Sequence, residues 1–313
     1  MPERKSQTIV LLAIIIIGCG LVYVLSDVME ATRAKLDTAV EDEDLYLSSQ
    51  RIKTLSGDFN GLVADWYWIN SLQYIGRKII KAQDEGTLNI NDMRPLNPRL
   101  LYPMLDRTTT LDPNYRVAYT YGAVVLPAIN EEEAIKLTEK GIAENPNEWR
   151  LYQHLGYIYW QRGDYEKAAQ VYDQGSQLEG APLFMKQMSA KVRLEGGRRE
   201  TAREIYTQIY EGADDTQTKE MIGLRLLQLD SLDERDGIKK VLEDFQAKNG
   251  RCPGSWAEIF GALRAVKLPG GKGLNFIRPN IPVDPSGAPY LLSDAEDQCN
   301  VKLDPARSKI PPG

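Results

Sequence analysis

The sequence predicts a mostly α-helical protein. Its expected parts are a single N-terminal transmembrane helix, an α-solenoid of helix pairs, and a small irregular C-terminal segment rich in glycine and proline. Three observations carry this expectation. Residues 8–25 form an apolar run without charge. Small and aromatic residues recur at a spacing of 34 through the middle of the chain. The composition changes at Gly250, after which prolines and glycines crowd together.

The counts exclude several function classes. The chain has 313 residues, 26% charged and 42% hydrophobic, which fits a folded body rather than a disordered chain. Its net charge of −6 argues against a general nucleic-acid binder, because phosphate binding needs a basic face. There is one histidine, His154, so a multi-histidine metal site cannot be built. No phosphate-binding glycine loop and no HExxH motif occurs. No paired carboxylates can be placed in one cleft, and Asp65 or Asp284 alone makes no hydrolase. The expectation is a protein without enzymatic activity, cofactor or metal.

Residues 1–7 read as a short cytoplasmic flank. From Thr8 to Leu25 the run TIVLLAIIIIGCGLVYVL would rise about 27 Å as a helix, close to a bilayer core of roughly 30 Å. Arg4 and Lys5 precede it, whereas residues 26–44 carry seven acids against Arg33 and Lys35. The positive-inside rule then places the N-terminus in the cytoplasm and the bulk of the chain on the periplasmic side of a bacterial inner membrane. Two processing alternatives are weaker. A cleavable signal would need a small-residue site, and the nearest, around Ala31 and Ala34, is interrupted by Arg33. Cys19 follows Ile16-Ile17-Gly18 like a lipidation box, yet the chain after it stays apolar to Leu25.

Residues 26–98 read as membrane-proximal helices and a connecting loop. Leu62, Trp66, Ile69 and Leu72 fall at helical steps. Such an aromatic-rich face either packs against the next helix or is offered to a membrane interface or a partner. Residues 81–98, broken by Gly86, Pro95 and Pro98, predict the loop.

Residues 99–249 read as the helical array. Ala134, Ala168 and Ala202 are each 34 apart, as are Gly122 and Gly156, Gly141 and Gly175, Gly163 and Gly197, and Tyr172 and Tyr206. A unit of this length accommodates two helices and two turns. Small residues are needed where helices cross closely, and aromatic rings fill the space beside them. Asp112-Pro113 and Asn145-Pro146 act as stops, since the residue before proline leaves the helical region. The clearest unit, Trp149 to Pro182, carries Tyr152, Leu155-Gly156, Tyr159, Gly163-Asp164-Tyr165, Ala168, Tyr172 and Gly175. In these residues the chain resembles the tetratricopeptide repeat family. The units 115–148 and 183–216 keep the register with fewer matches, and residues 218–249 are expected to be a closing helix pair.

In a stack of that kind the first helix of each unit lines the concave side. By register that side offers Arg116 and Tyr119, then Arg150, Gln153, Tyr157, Trp160 and Gln161, then Gln187 and Lys191. Tyrosine, tryptophan and arginine are the types enriched at binding hot spots, and a groove of this kind holds a peptide or a partner helix. Of the lysines that clamp a partner's terminal carboxylate in some members of the family, only Lys191 has a counterpart. The expected function is a membrane-anchored scaffold that binds a protein partner in an envelope, secretion or pilus assembly. The alternative is a structural subunit of a large membrane complex. The oligomeric state is open.

Residues 250–313 hold eight basic and six acidic side chains. Ser255 to Val266 predicts a short helix, with turns and short strands after it. Asn249-Gly250-Arg251-Cys252-Pro253 and Asp284-Pro285-Ser286-Gly287-Ala288-Pro289-Tyr290 are similar to the signature of the globular part of type II secretion pseudopilins. That resemblance implies a calcium site, for which Asp284, Asp294 and Asp297 could supply oxygens. The plainer reading is a turn that pins the tail onto the array. In that family the membrane helix leads straight into the globular part, whereas here the array intervenes. Cys252 and Cys299 are either a disulfide, allowed outside the cytoplasm, or two free thiols.

Overall fold

The structure is a computed structural model that describes Gly18, Gly20, Val24 and residues 48–277, 280–293 and 299–311. The expected transmembrane helix, Cys19 and the acidic stretch after them otherwise lie outside the described residues. Among the described residues, no helix is long and apolar enough to cross a membrane. The described chain is mostly helical, with four three-residue strands. It divides into two compact units: residues up to Ala118 with Ala128–Asn130, and Tyr119–Pro127 with Glu131–Gly313. The C-terminal segment therefore belongs to the same unit as most of the helices before it.

The first unit holds α1 (Ser49–Ser56), α2 (Asn60–Asp84) and α3 (Leu101–Leu111). The Ser48 side chain caps α1 by accepting the Arg51 N–H. α2 packs on α3, burying Ala64, Ser71, Tyr74 and Ile75. The Ser49 hydroxyl donates to Asp106 Oδ2 at 2.8 Å, which fastens α1 to α3. Residues between α2 and α3 form the expected loop, with one short turn at Arg94–Leu96. The face of Leu62, Trp66 and Ile69 does not pack against a neighbouring helix; all three are exposed. α2 is apolar on both sides, so periodicity marked one face while Ala64, Tyr67, Trp68 and Ile75 on the other turned inward.

α4 (Arg116–Val125) is divided between the units, and α5 (Glu131–Glu144) follows it. Next come α6 (Trp149–Gln161), α7 (Tyr165–Ser176), α8 (Phe184–Glu195), α9 (Arg199–Gly212) and α10 (Thr216–Asn249). Each of the three expected repeat units therefore contains one pair of helices, and from α5 to α10 each helix packs on the next. The small residues do what their spacing required. A Cβ on Gly156 would lie 2.9 Å from the Tyr172 ring, and one on Gly141 2.8 Å from Tyr119. Ala134, Ala168 and Ala202 are fully buried. The equivalent glycines Gly163 and Gly197 turn the chain between paired helices with φ of 80° and 79°, a region costly to a side chain.

The closing helix pair is instead one helix, α10. Its N-cap Asp215 accepts the Thr218 N–H at 2.7 Å, and it stops at Gly250 in a left-handed cap. No proline or polar turn interrupts residues 216–249. Gly237 does not break the helix; it leaves room for the Val266 side chain.

The segment after α10 folds back onto it. A short helix, α11 (Phe260–Arg264), precedes two antiparallel hairpins. β1 (Asn275–Ile277) pairs with β2 (Ile281–Val283), and β3 (Leu291–Ser293) with β4 (Asn300–Lys302). Ile238 and Leu242 of α10 share a core with Trp256, Leu263, Tyr290 and Val301. Burying such side chains gives the segment its hold on the helix, at about 1.5–3 kcal/mol for each large one.

Candidate functional site

One face of the second unit gathers aromatic and charged groups from α6 and α8. On α6, Trp149, Gln153, Tyr157 and Trp160 follow one another at helical steps; on α8, Phe184, Gln187, Lys191 and Glu195 do the same. The two helices are the leading members of successive pairs, so residues one repeat apart meet. The Trp149 and Phe184 rings stand edge to face with centroids 6.1 Å apart. At the other end, the Trp160 indole N–H donates to Glu195. The Lys191 ammonium lies 4.5 Å from the Trp160 ring centroid and 3.9 Å from Glu195 Oε1. Tyr157 meets Trp160 edge to face at 5.7 Å. The Arg150 guanidinium covers the Trp149 ring at 4.6 Å and reaches Glu148 at 3.3 Å.

The structure thus brings Tyr157, Trp160 and Lys191 together, with Arg150 at the opposite end of α6. Tyr157 and Gln161 are exposed, and Gln153 and Gln187 are half-buried. Tyr119 is a correction. It is fully buried, because its ring turns into the space above Gly141 and becomes core. Arg116 is exposed at the start of α4 and belongs to the first unit. Trp149, Phe184 and Glu195 were missed. Both rings lie on the helix faces that carry the predicted residues, Trp149 one turn before Gln153 and Phe184 two turns before Lys191.

Burial shapes the electrostatics beneath this face. The Tyr159 hydroxyl donates to Glu139 Oε1 at 2.9 Å, and desolvation followed by that bond pushes its pKa up to about 12. Desolvation also raises the Tyr172 pKa. His154, half-buried on α6, is held below the ordinary imidazole value by desolvation. These groups stay uncharged near neutral pH. The face is therefore a set of ring edges and faces bordered by Lys191 and Arg150, suited to contact rather than proton transfer.

The C-terminal segment shares a cleft with α9 and α10, lined by Arg203, Asp230, Glu234, Leu268, Lys272 and Pro285. Cys252 and Cys299 are bonded, with Cα atoms 5.4 Å apart. Asp284 organises a turn: its Oδ1 accepts from the Ser286 N–H and hydroxyl at 2.8 and 2.7 Å and from the Ala288 N–H at 3.0 Å. Its Oδ2 accepts from the Ser308 hydroxyl, which pins the tail. The Asp284 oxygens implied for calcium are thus engaged in the turn, and Asp294 and Asp297 lie outside the described residues. Among the described residues, no group of three His, Cys, Asp or Glu side chains could hold a metal ion.

No protein-family model matches the chain, and no curated protein matches it.

Proposed function

We propose that this protein is a single-span, membrane-anchored scaffold of the tetratricopeptide repeat kind. In this reading it holds a protein partner on the extracytoplasmic side of a bacterial inner membrane. The observation that carries the binding part is the meeting of Tyr157, Trp160 and Lys191 across α6 and α8. Rings and cations at one repeat spacing suit an extended segment or a helix laid along that face. The membrane part rests on the apolar run at residues 8–25 and its charged flanks. Tethering raises the partner's local concentration at the bilayer without any chemical step.

The test is capture of partners from native membranes by the full chain in mild detergent. Tyr157→Ala with Trp160→Ala, verified as folded by circular dichroism, is expected to lose the partner. Two hot-spot truncations cost about 2 kcal/mol or more each, enough to abolish recovery after washing. Equal capture by the variant would remove the α6–α8 face as the binding site.

A further inference from the structure

The first unit carries an apolar stripe that its own core does not use. Leu55, Phe59, Leu62, Trp66 and Ile69 follow at alternating steps of four and three. All are exposed, with Leu62 at 68%, Trp66 at 59% and Ile69 at 52%. Ile80 is also exposed and lies five turns beyond Leu62, on the same line of α2. Its unbroken part on α2, from Leu62 to Ile69, rises about 10 Å, and Gln73 stands between it and Ile80. Opposite it, Ala64, Ser71, Tyr74 and Ile75 face the core, so α2 has two apolar sides and only one is covered within the unit.

We propose that this stripe lies in the interface of a lipid bilayer, with α2 parallel to the membrane surface. The inference rests on the anchoring part of the proposed function. The predicted span ends at Leu25, and residues 26–48 join it to α1. Fully extended, those 23 residues reach about 78 Å, so the bilayer surface is within range of the unit. The charge agrees. Residues 48–84 hold five basic side chains (Arg51, Lys53, Arg77, Lys78, Lys81) and three acids (Asp58, Asp65, Asp84). They are thus +2 in a chain of −6. Asp65 is further engaged by the Tyr115 hydroxyl at 2.9 Å. An apolar face with tryptophan and basic flanks is the pattern of an interfacial helix.

A second copy of the chain fits less well. The four-three spacing is that of a coiled-coil seam, but Gly57, at a φ of 51°, and a short 3-10 turn separate α1 from α2. After Ile69 the next seam position is Gln73, so the uninterrupted seam on α2 is shorter than two heptads. A lipid interface demands neither a straight rod nor a matching register.

The experiment places a nitroxide label on the full chain, in a background with Cys19→Ser, at Leu62→Cys or Ile69→Cys. A control label goes at Gln217→Cys, exposed on the second unit. Each protein is reconstituted into vesicles of phosphatidylcholine with phosphatidylglycerol and recovered by flotation. The expected result is that labels at 62 and 69 become accessible to lipid-dissolved oxygen and lose collisions with a water-soluble nickel chelate, while the label at 217 keeps them. Labels at 62 and 69 as chelate-accessible as the control, in vesicles that float with the protein, would overturn the proposal and leave anchoring intact. Dipolar broadening between labels on different copies would overturn it in favour of self-association. Failure to float would remove the anchoring itself, and the interfacial helix with it.

Discussion

The Tyr290 hydroxyl donates to Glu234 Oε2 at 2.8 Å and lies 3.1 Å from the Ser231 hydroxyl, joining the C-terminal segment to the middle of α10 inside the protein. Both Glu234 and Tyr290 are buried. Desolvation raises the Glu234 pKa from 4.5 to about 7; the Tyr290 bond pulls it down, and the charges of Asp230, Asp284 and Asp233 push it further up. A carboxyl whose pKa is higher in the folded state favours folding when protonated. Its contribution is complete below pH 4.5 and is lost as pH rises through about 7. Stability is therefore expected to fall across that window by up to ~1.4 kcal/mol per pH unit from this group. Glu234→Gln, which keeps an acceptor for Tyr290 but cannot ionise, should flatten the slope. Urea unfolding of both proteins across the window checks this; parallel slopes would mean Glu234 does not titrate there.

The contact of Gly156 with Tyr172 leads to a second expectation. Alanine at 156 would place a Cβ 2.9 Å from the ring, and overpacking of this kind costs about 1–3 kcal/mol. Gly76, inside α2, has nothing within 4 Å of its own Cβ position. Gly76→Ala should therefore gain about 0.5–1 kcal/mol from backbone entropy. The same substitution in two helices should move thermal midpoints in opposite directions. Equal shifts would refute the close packing of Gly156.

Gly156 and Tyr172 also explain how much was legible beforehand. Repeated small and aromatic residues located the three helix pairs, because close crossings tolerate few side chains and so leave a periodic trace. Tyr157, Trp160 and Lys191 came from the same trace and meet on one face. Tyr119 stands in the register of Gln153 and Gln187, yet it is buried, since its ring swings into the space that Gly141 leaves. The closing helix pair is expected from continuing the repeat, but nothing in residues 216–249 stops a helix, and Gly237 leaves room for the Val266 side chain. The exposed stripe was read correctly as a face, but a face in sequence has no sign: α2 is apolar on both sides, and only coordinates decide which side is covered. The bond between Cys252 and Cys299 depended on distance, which spacing along the chain does not give.

Asp233 is held between two arginines. It accepts from Arg199 Nη1 and Arg203 Nη2, each at 2.5 Å, and its side chain is only 9% exposed. Arg199 also reaches Asp236 at 2.9 Å, but the Asp236 side chain is 60% exposed. Solvent screening makes that outer contact worth ~1 kcal/mol at most. Removing the inner acceptor leaves two partly covered guanidinium groups short of a partner, at about 1.5–3 kcal/mol for hydrogen bonds to charged groups. Asp233→Ala should therefore destabilise α9 against α10 well beyond Asp236→Ala, as read by chemical denaturation. Similar losses for the two variants would show that burial does not set the strength of this cluster.

The disulfide between Cys252 and Cys299 closes a separation of 47 residues and ties the start of the C-terminal segment, just beyond the α10 cap, to the residue before β4. Cys299 also sits in the core shared with Ile238 and Leu242. Constraining the unfolded chain over a loop of this size is worth about 2–4 kcal/mol. Reduction should therefore lower stability by that amount, but the loss should be local. Trp256 reports on this core, whereas Trp149 and Trp160 lie on the α6–α8 face and have no share in it. Cys252→Ser with Cys299→Ser should raise amide exchange in β3 and β4 first, with α6 and α8 keeping their protection. A uniform rise in exchange through α6 to α10 would instead mean that the segment and the helices unfold as one cooperative body, with the disulfide stabilising all of it.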